Sequence, residues 1–458
     1  MDGISPRISR NRSHGVQIGE LLGPLSRALD LGEGRAEGHT LRACWIGVQF
    51  GHALGVAGTE LRELYLLMLA KDLGASAIAP WISERYQACD LDFKRELRRA
   101  DGRPTECLRR AVRAARHRAQ PPLRRFLNGL RVRDDDALEL FAERAGRGAD
   151  FARRLGLPEA VAHGILCFGE RWDGGGLPFG LRGLSIPIAA RIAQLAEIAV
   201  SAFATGGADA ARHDVRRRSG TALDPQLVAA FDQLAATPHF WAGAAAPDLD
   251  RRIAALDPAD SLDSTARGGR LDADHLDEIA TVFGEITDAK SRFTAGHSGR
   301  VAARATRLAE MIGIVPERRR LLKRAALLHD LGKLGVSSLI LDKPGALDAV
   351  ESHAVRPHPE EVAAILARIE PLAESGRIAA AHHERLDSTG YPFGLCASEI
   401  GIESRVLAVV DIFDALTAKR PQRDALPVAR ALEILTASAG QVVDPDCVEA
   451  LAASLRED

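Results

Sequence analysis

The strongest constraint on this chain is that it repeats itself. Glu170-Arg171-Trp172-Asp173-Gly174-Gly175-Gly176-Leu177-Pro178-Phe179-Gly180-Leu181 returns as Glu384-Arg385-Leu386-Asp387-Ser388-Thr389-Gly390-Tyr391-Pro392-Phe393-Gly394-Leu395. Gly38-His39-Thr40 matches Gly296-His297-Ser298, and Asp72-Leu73-Gly74 matches Asp330-Leu331-Gly332 at the same offset. Asp224-Pro225 with Val228 matches Asp444-Pro445 with Val448. The order of the matches is preserved, as in a duplicated unit. A length of 458 residues allows about three domains. The repeat predicts two related halves instead, 1–245 and 271–458, joined by a linker at 246–270. The stretch from Gly243 to Arg270 is rich in breakers, with Leu249 to Leu256 able to form a short helix inside it.

The predicted fold class is all-α, two tandem helical bundles. Ile279, Val282, Phe283 and Ile286 fall on one helical face, as do Val301, Ala305, Leu308, Ala309 and Ile312, with Gly313 at a C-cap. Pro316, Pro427 and Pro445 each precede an apolar-periodic run, and Asp444 is placed to cap one. Aromatic residues are 5% of the chain, and no segment alternates as a strand between hairpin turns.

With 60 Lys plus Arg against 62 Asp plus Glu, bulk charge excludes a strongly basic nucleic-acid binder. Apolar runs such as Leu64 to Ala70 fall far short of the ~20 residues of a membrane helix. Met1 to Arg12 shows no apolar signal segment, and the six cysteines form no CxxC pair. The expectation is a cytoplasmic protein with reduced thiols, no membrane association and no DNA-binding motif.

The second half carries His297, His329-Asp330, His358, His382-His383 and Asp411, spaced by about one helix plus its connection. Singly each has an ordinary reading: a surface or core histidine pair, a turn between prolines, a core His-Asp. As an ordered set on successive helices they read as metal ligands delivered to one interior. Imidazole with carboxylate suits iron, manganese, nickel or zinc, and a carboxylate can bridge two metals.

His329-Asp330-Leu331-Gly332-Lys333, the Glu384 to Leu395 run with its Gly390-Tyr391-Pro392, and Asp411-Ile412-Phe413-Asp414-Ala415-Leu416-Thr417 with Arg420-Pro421 resemble the HD-GYP family, a bacterial subgroup of the HD phosphohydrolases. The resemblance covers about Leu271 to Leu455. It implies two HD-type helical domains and a metal-dependent cyclic di-GMP phosphodiesterase. It further implies two divalent metals, iron or manganese. His297, His329, Asp330 and Asp411 would hold one, and Asp330 would bridge to a second held with His358, His382 and His383. Asp330 and Lys333 would be catalytic. Lys333, Gly390, Tyr391, Pro392, Arg420 and Arg423 would bind substrate, with Tyr391 either stacking on a guanine or serving as a core tyrosine. A homodimer and a signalling partner docking on the Gly-Tyr-Pro loop are further expectations.

The chain departs from the family pattern at Ser388, usually Gly, and at Gln422, usually Tyr. Phe293 stands where three-metal members carry a Glu, so a two-metal site is expected. In the first half, Lys71 replaces His329, Phe168 and Gly169 replace His382 and His383, Arg144 stands for His358 and Glu197 for Asp411. Ala75 replaces Lys333 and Leu177 replaces Tyr391. That half therefore reads as a degenerate HD-GYP-like domain, regulatory or structural: it would stabilise the other half, dimerise, or sense something bound in its vestigial pocket. The arginine-rich span from Asp92 to Arg133, including Arg98, Arg124 and Arg125, reads as a solvated helix face. Two alternatives stand beside cyclic di-GMP hydrolysis: action on another cyclic dinucleotide or nucleotide, and a non-catalytic cyclic-dinucleotide-binding module.

Overall fold

A computed structural model of the chain describes residues 17–116, 127–257 and 271–456. Among them the regular elements are helices, with only isolated bridges such as Ser219–Leu223 and its repeat Ala439–Val443. In the first half the helices Ile18–Gly32, His39–Ala53 and Gly58–Ala70 lead to Lys71-Asp72. In the second, Ala273–Asp288, His297–Met311 and Pro316–Leu328 lead to His329-Asp330. The periodic residues face inward: Ile279, Val282, Phe283 and Ile286 are buried, as are Val301, Ala305, Leu308 and Ala309. A continuous apolar core runs from Leu21 in the first half to Leu451 in the second.

The halves repeat their internal braces as well as their helices. Asp30 accepts from the Thr40 amide and hydroxyl, and Asp288 does the same for Ser298. Glu170 accepts the amides of Phe179 and Leu181, and Glu384 those of Phe393 and Leu395. Arg191 pairs with Asp224 at 2.6 Å, and Arg405 with Asp444 at 2.7 Å. Gly74 packs on the backbone of Arg144 as Gly332 packs on that of His358; a Cβ at either glycine would lie 2.0 or 2.2 Å from the facing carbonyl oxygen. This contact fixes Arg144 as the structural counterpart of His358.

Two differences were hidden in the sequence. Far more chain separates Gly74 from Arg144 than Gly332 from His358. The excess builds the helices Ala79–Tyr86, Asp90–Arg99 and Pro104–Ala114, with a separate small core around Ile82, Phe93, Leu108 and Leu140. Second, the helix Ile188–Arg217 breaks at Gly206 and Gly207. The second half has two helices there, Ile402–Thr417 and Val428–Ser438, separated by the loop that carries Lys419 to Arg423.

The extra helices are not simply a solvated basic face. Arg98 is largely buried and reaches Glu33 at 2.5 Å, while Arg116 pairs with Asp92. Arg124 and Arg125 lie outside the described residues. Asp90 is fully buried and joins the halves, pairing with Lys290 at 2.5 Å and accepting the Ser338 amide at 2.9 Å. In the expected linker, Leu249–Ala255 is a helix with Leu249 and Ile253 buried in the core; residues 258–270 lie outside the described residues. Among the described residues one helix, Ile188–Arg217, is long and apolar enough to cross a membrane. Its Ile192, Ala193, Leu195, Ala196, Ala199 and Val200 are core residues here.

Ser388 sits at φ +62°, where its counterpart Gly174 has φ +78°. A left-handed conformation costs a side-chain-bearing residue roughly 1–2 kcal/mol. Ser388→Gly is expected to raise unfolding free energy by about 0.5–1 kcal/mol, less than the full strain because glycine gives up more chain entropy. A denaturant midpoint that stays or falls would show that the loop holds serine without strain.

Candidate metal centre and its eroded counterpart

The helix starts and ends of the second half point their histidines into one buried space. His297 opens its helix, His329 and Asp330 follow the end of Pro316–Leu328, and His358 opens His358–Leu366. His382 and His383 follow Ala373–Ala380, and Asp411 lies inside Ile402–Thr417. All seven expected ligands meet. His297, His329 and Asp330 form one group, His329, His382 and Asp411 a second, and His358, His382 and His383 a third, with ligand atoms in each group within 4.8 Å of one another.

The outer ring nitrogens set the orientation. Nδ1 of His329, His358 and His382 faces the carbonyl oxygens of Ala326, Val355 and Ala379 at 2.8, 2.8 and 2.6 Å. Nδ1 of His297 faces Asp414 at 2.8 Å. Each Nδ1 therefore carries a proton and each Nε2 turns inward, as metal-binding imidazoles do. Nε2 of His358 and His382 approach to 3.4 Å. Asp330 lies 3.5 Å from the Nε2 of both His329 and His358 and 3.8 Å from that of His297. His329 Nε2 and Asp330 Oδ1 are buried without a hydrogen-bond partner. Orphaned polar atoms are costly, and here they aim into the same space. The donor set and its unpaired atoms fit divalent metal ions.

The charge states suit that role. Burial holds His382 down to about 4 and His358 and His383 well below the ordinary range. Against burial, the Asp411 and Asp414 carboxylates hold His297 up to about 9. Asp330 and Asp411 stay far below ordinary carboxylates despite burial, held down by His329 and Lys333 and by His297 and His329.

The expected substrate residues divide. Lys333, on a tight 3-10 turn rather than an α-helix, pairs with Asp330 at 2.7 Å. Arg420 lines a cleft with Asp330 and Lys333, and its buried Nε has no partner. Arg423 does not reach that cleft: its guanidinium lies on the end of Ile402–Thr417, donating to the Leu416 and Ala415 carbonyls beside the backbone caps from the Ala418 and Leu426 amides. Tyr391 stacks on His383 at 4.8 Å with the Arg356 guanidinium 4.6 Å from its ring, so a base stacking there would compete with Arg356. Gly390 and Pro392 shape the turn; a Cβ at Gly390 would lie 2.5 Å from the Glu384 backbone. Asp414 was not expected. It accepts from His297 and, bidentately, from Arg300 at 2.9 and 3.0 Å. Its signal was its place one turn beyond Asp411.

Asp414→Ala is expected to weaken metal affinity about 10–100-fold, since supporting carboxylates of this kind orient the ligand ring. Competitive chelator titration measures it. Unchanged affinity would show that His297 is oriented by packing alone.

In the first half the same space is filled by the chain's own cations. Asp72 is paired with Arg35, Lys71 and, at 2.7 Å, Arg144. Glu197 is 2.9 Å from Arg35, 3.0 Å from Lys71 and 3.0 Å from His39. The three surviving ligand types are all engaged, and Arg35 occupies the position of Phe293. Covalently attached positive charge stands where metals would.

The comparisons agree with this geometry. Residues 281–447 match the HD domain family (HD_5). A 3′3′-cGAMP-specific phosphodiesterase 3 of Vibrio cholerae is 40% identical over 440 residues, 96% of this chain and 94% of that protein. A crystal structure of a cyclic GMP-AMP specific phosphodiesterase from V. cholerae superposes with a TM-score of 0.67 at 37% identity, covering 96% of this chain and 98% of that one. A cyclic di-GMP phosphodiesterase response regulator of Xanthomonas campestris is 39% identical over 146 residues, 31% of this chain and 39% of that protein. Similarity that runs through both halves, together with the HD-domain match over the intact cluster, shows that the chain belongs to the HD-GYP family of HD-domain phosphohydrolases.

Proposed function

We propose that the second half hydrolyses a 3′3′-linked cyclic dinucleotide, with 3′3′-cyclic GMP-AMP the preferred substrate, and that the first half is a non-catalytic companion. The observation that carries this reading is the intact seven-residue cluster in one half beside a cation-filled pocket in the other. The expectation of cyclic di-GMP gives way to cyclic GMP-AMP because the relative aligned through both halves is specific for the latter. The cyclic di-GMP relative is matched over a much shorter span.

In this reading His297, His329, Asp330 and Asp411 would hold one divalent ion, and His358, His382 and His383, together with Asp330, would hold a second. Imidazole and carboxylate donors suit iron, manganese, nickel or zinc, and the family resemblance favours iron or manganese among them. Such a pair supplies a water acidic enough to be a nucleophile at neutral pH, and charge against the phosphoryl oxygens. The protein's own part is positional. Lys333 and Arg420 bring two cations to the cleft beside Asp330 and orient the diester there. Asp330 remains ionised so that both ligand groups share it.

The test is a panel of 3′3′-cyclic GMP-AMP, cyclic di-GMP and cyclic di-AMP with the full-length, iron- or manganese-loaded protein, resolving products by chromatography. A linear dinucleotide forming fastest from cyclic GMP-AMP is expected. All three substrates remaining intact on metal-loaded protein would overturn the reading; binding without turnover would favour a non-catalytic signalling module.

A further inference from the structure

We infer that a basic cleft bounded by Arg292, Phe293, Arg300, Arg304 and Lys419 receives the second nucleotide of the substrate, with Phe293 between the two nucleotide positions. This rests on the cyclic-dinucleotide reading above and names the part of the site that reading leaves open.

Size is the first argument. The cleft that holds Asp330, Lys333, Arg420 and Gln422 has a volume of only about 90 Å³. Small-ligand sites run to roughly 300–1,000 Å³, so a dinucleotide cannot be contained there. The neighbouring cleft has about 730 Å³ and is lined by Phe293, as the inner one is. Phe293 is thus the wall common to both.

Charge is the second. The outer cleft is lined by Arg292, Arg300, Arg304 and Lys419, with Asp414 its one carboxylate. Asp414 is already matched by Arg300 and His297. Arg292 pairs with Glu84 of the first half at 2.7 Å. Arg304 lies on the Phe413 ring at 4.7 Å and only 4.0 Å from Asp414. Lys419 has no ion-pair or hydrogen-bond partner among the described residues. A cyclic dinucleotide brings two phosphates, of which one sits at the reacting position. Arg304 and Lys419 leave surplus positive charge where the second can be met. Phe293 is only partly buried, with the Arg292 guanidinium 5.2 Å from its ring centre, so a purine stacking on it would share the ring with Arg292 or displace it.

The duplication provides a third argument. Arg300 has a counterpart in Arg42, but Phe293 is replaced by Arg35 and Arg304 by Ile46. The loop carrying Lys419 has no counterpart, the first half having the Gly206–Gly207 break there. The half that lost its metal ligands also lacks these three residues, as it would if they served the same substrate.

Steady-state kinetics on the full-length, metal-loaded protein test this with Lys419→Ala, Phe293→Ala and Phe293→Tyr. The substrates are 3′3′-cyclic GMP-AMP and bis(p-nitrophenyl) phosphate, a diester with no second nucleotide. Lys419→Ala is expected to raise KM for the cyclic dinucleotide roughly tenfold, the scale of a lost hydrogen bond to charge, and Phe293→Ala by a similar factor, the scale of a lost base–aromatic stack. They should lower its kcat/KM relative to the small diester by a similar factor, and Phe293→Tyr should restore it. The Kd of a phosphorothioate analogue should rise in parallel. Unchanged KM in Lys419→Ala, which alters an exposed loop residue and does not threaten folding, would overturn the inference. So would equal losses on both substrates, which would place these residues at the metal centre. A wild-type protein that cleaves the small diester but no cyclic dinucleotide would instead remove the substrate reading itself.

Discussion

Asp330→Ala is expected to lower kcat by about 1000-fold or more, with metal content falling in the same preparation. Asp330 is the carboxylate close to both ligand groups, 3.5 Å from His329 and from His358 and 2.7 Å from Lys333. Its removal takes one charge from two cation positions at once and frees Lys333 to repel what remains. Losing a single preorganised electrostatic group typically costs 100–1000-fold, and a shared ligand should lie at or beyond the upper end. Asp330→Asn keeps the shape but not the charge, so it should lose nearly as much. Activity within tenfold of wild type, with metal retained, would show that Asp330 is not shared. Elemental analysis beside the kinetics separates loss of metal from loss of chemistry.

The second large effect is on stability and lies in the other half. Glu33→Gln is expected to destabilise the protein by about 3–5 kcal/mol, the range for removing one partner of a buried ion network. Glu33 is fully buried, with Arg98 at 2.5 Å, Arg144 at 3.4 Å, Arg35 at 3.6 Å and Lys94 at 3.8 Å. Without its charge these cations face one another in low dielectric. Against its burial, Arg144, Arg98, Arg35 and Lys94 hold the carboxyl down to about 2. A carboxylate whose folded pKa is depressed stabilises the fold fully above its unfolded value of about 4.5, and that stabilisation fades as pH falls toward 2. The acid limb of the wild-type stability profile should therefore be much flatter in Glu33→Gln between those values. An unfolding free energy within about 1 kcal/mol of wild type, from denaturant titration, would mean that water reaches the network.

Much of this was legible in the sequence because the repeat compares the chain with itself. His297 against His39, Asp330 against Asp72 and His329 against Lys71 located both the cluster and its erosion, and the inward pairing of Lys71 with Asp72 and Glu197 is what that substitution implied. Helix boundaries followed from periodicity and caps, as at Asp444, whose carboxylate accepts the Asp446 and Cys447 amides. What escaped was set by distance in space. Arg420 and Arg423 are two loop arginines with similar neighbours; only the fold turns one toward Asp330 and the other onto the carbonyls that end Ile402–Thr417. The buried Asp90–Lys290 pair joins residues in different halves, and nothing local marks it. Arg98 sits in a run that looks like a wet helix face, yet it closes the network on Glu33.

One half gathers a metal-ligand set, and in the other the chain's own arginines and lysine fill the matching space. Metal stoichiometry of the full-length protein, purified and reloaded with iron or manganese, tests this most directly. About two ions per chain are expected, lost on Asp330→Ala and unaffected by Asp72→Asn. About four ions per chain, or binding that survives Asp330→Ala and disappears with Asp72→Asn, would contradict it.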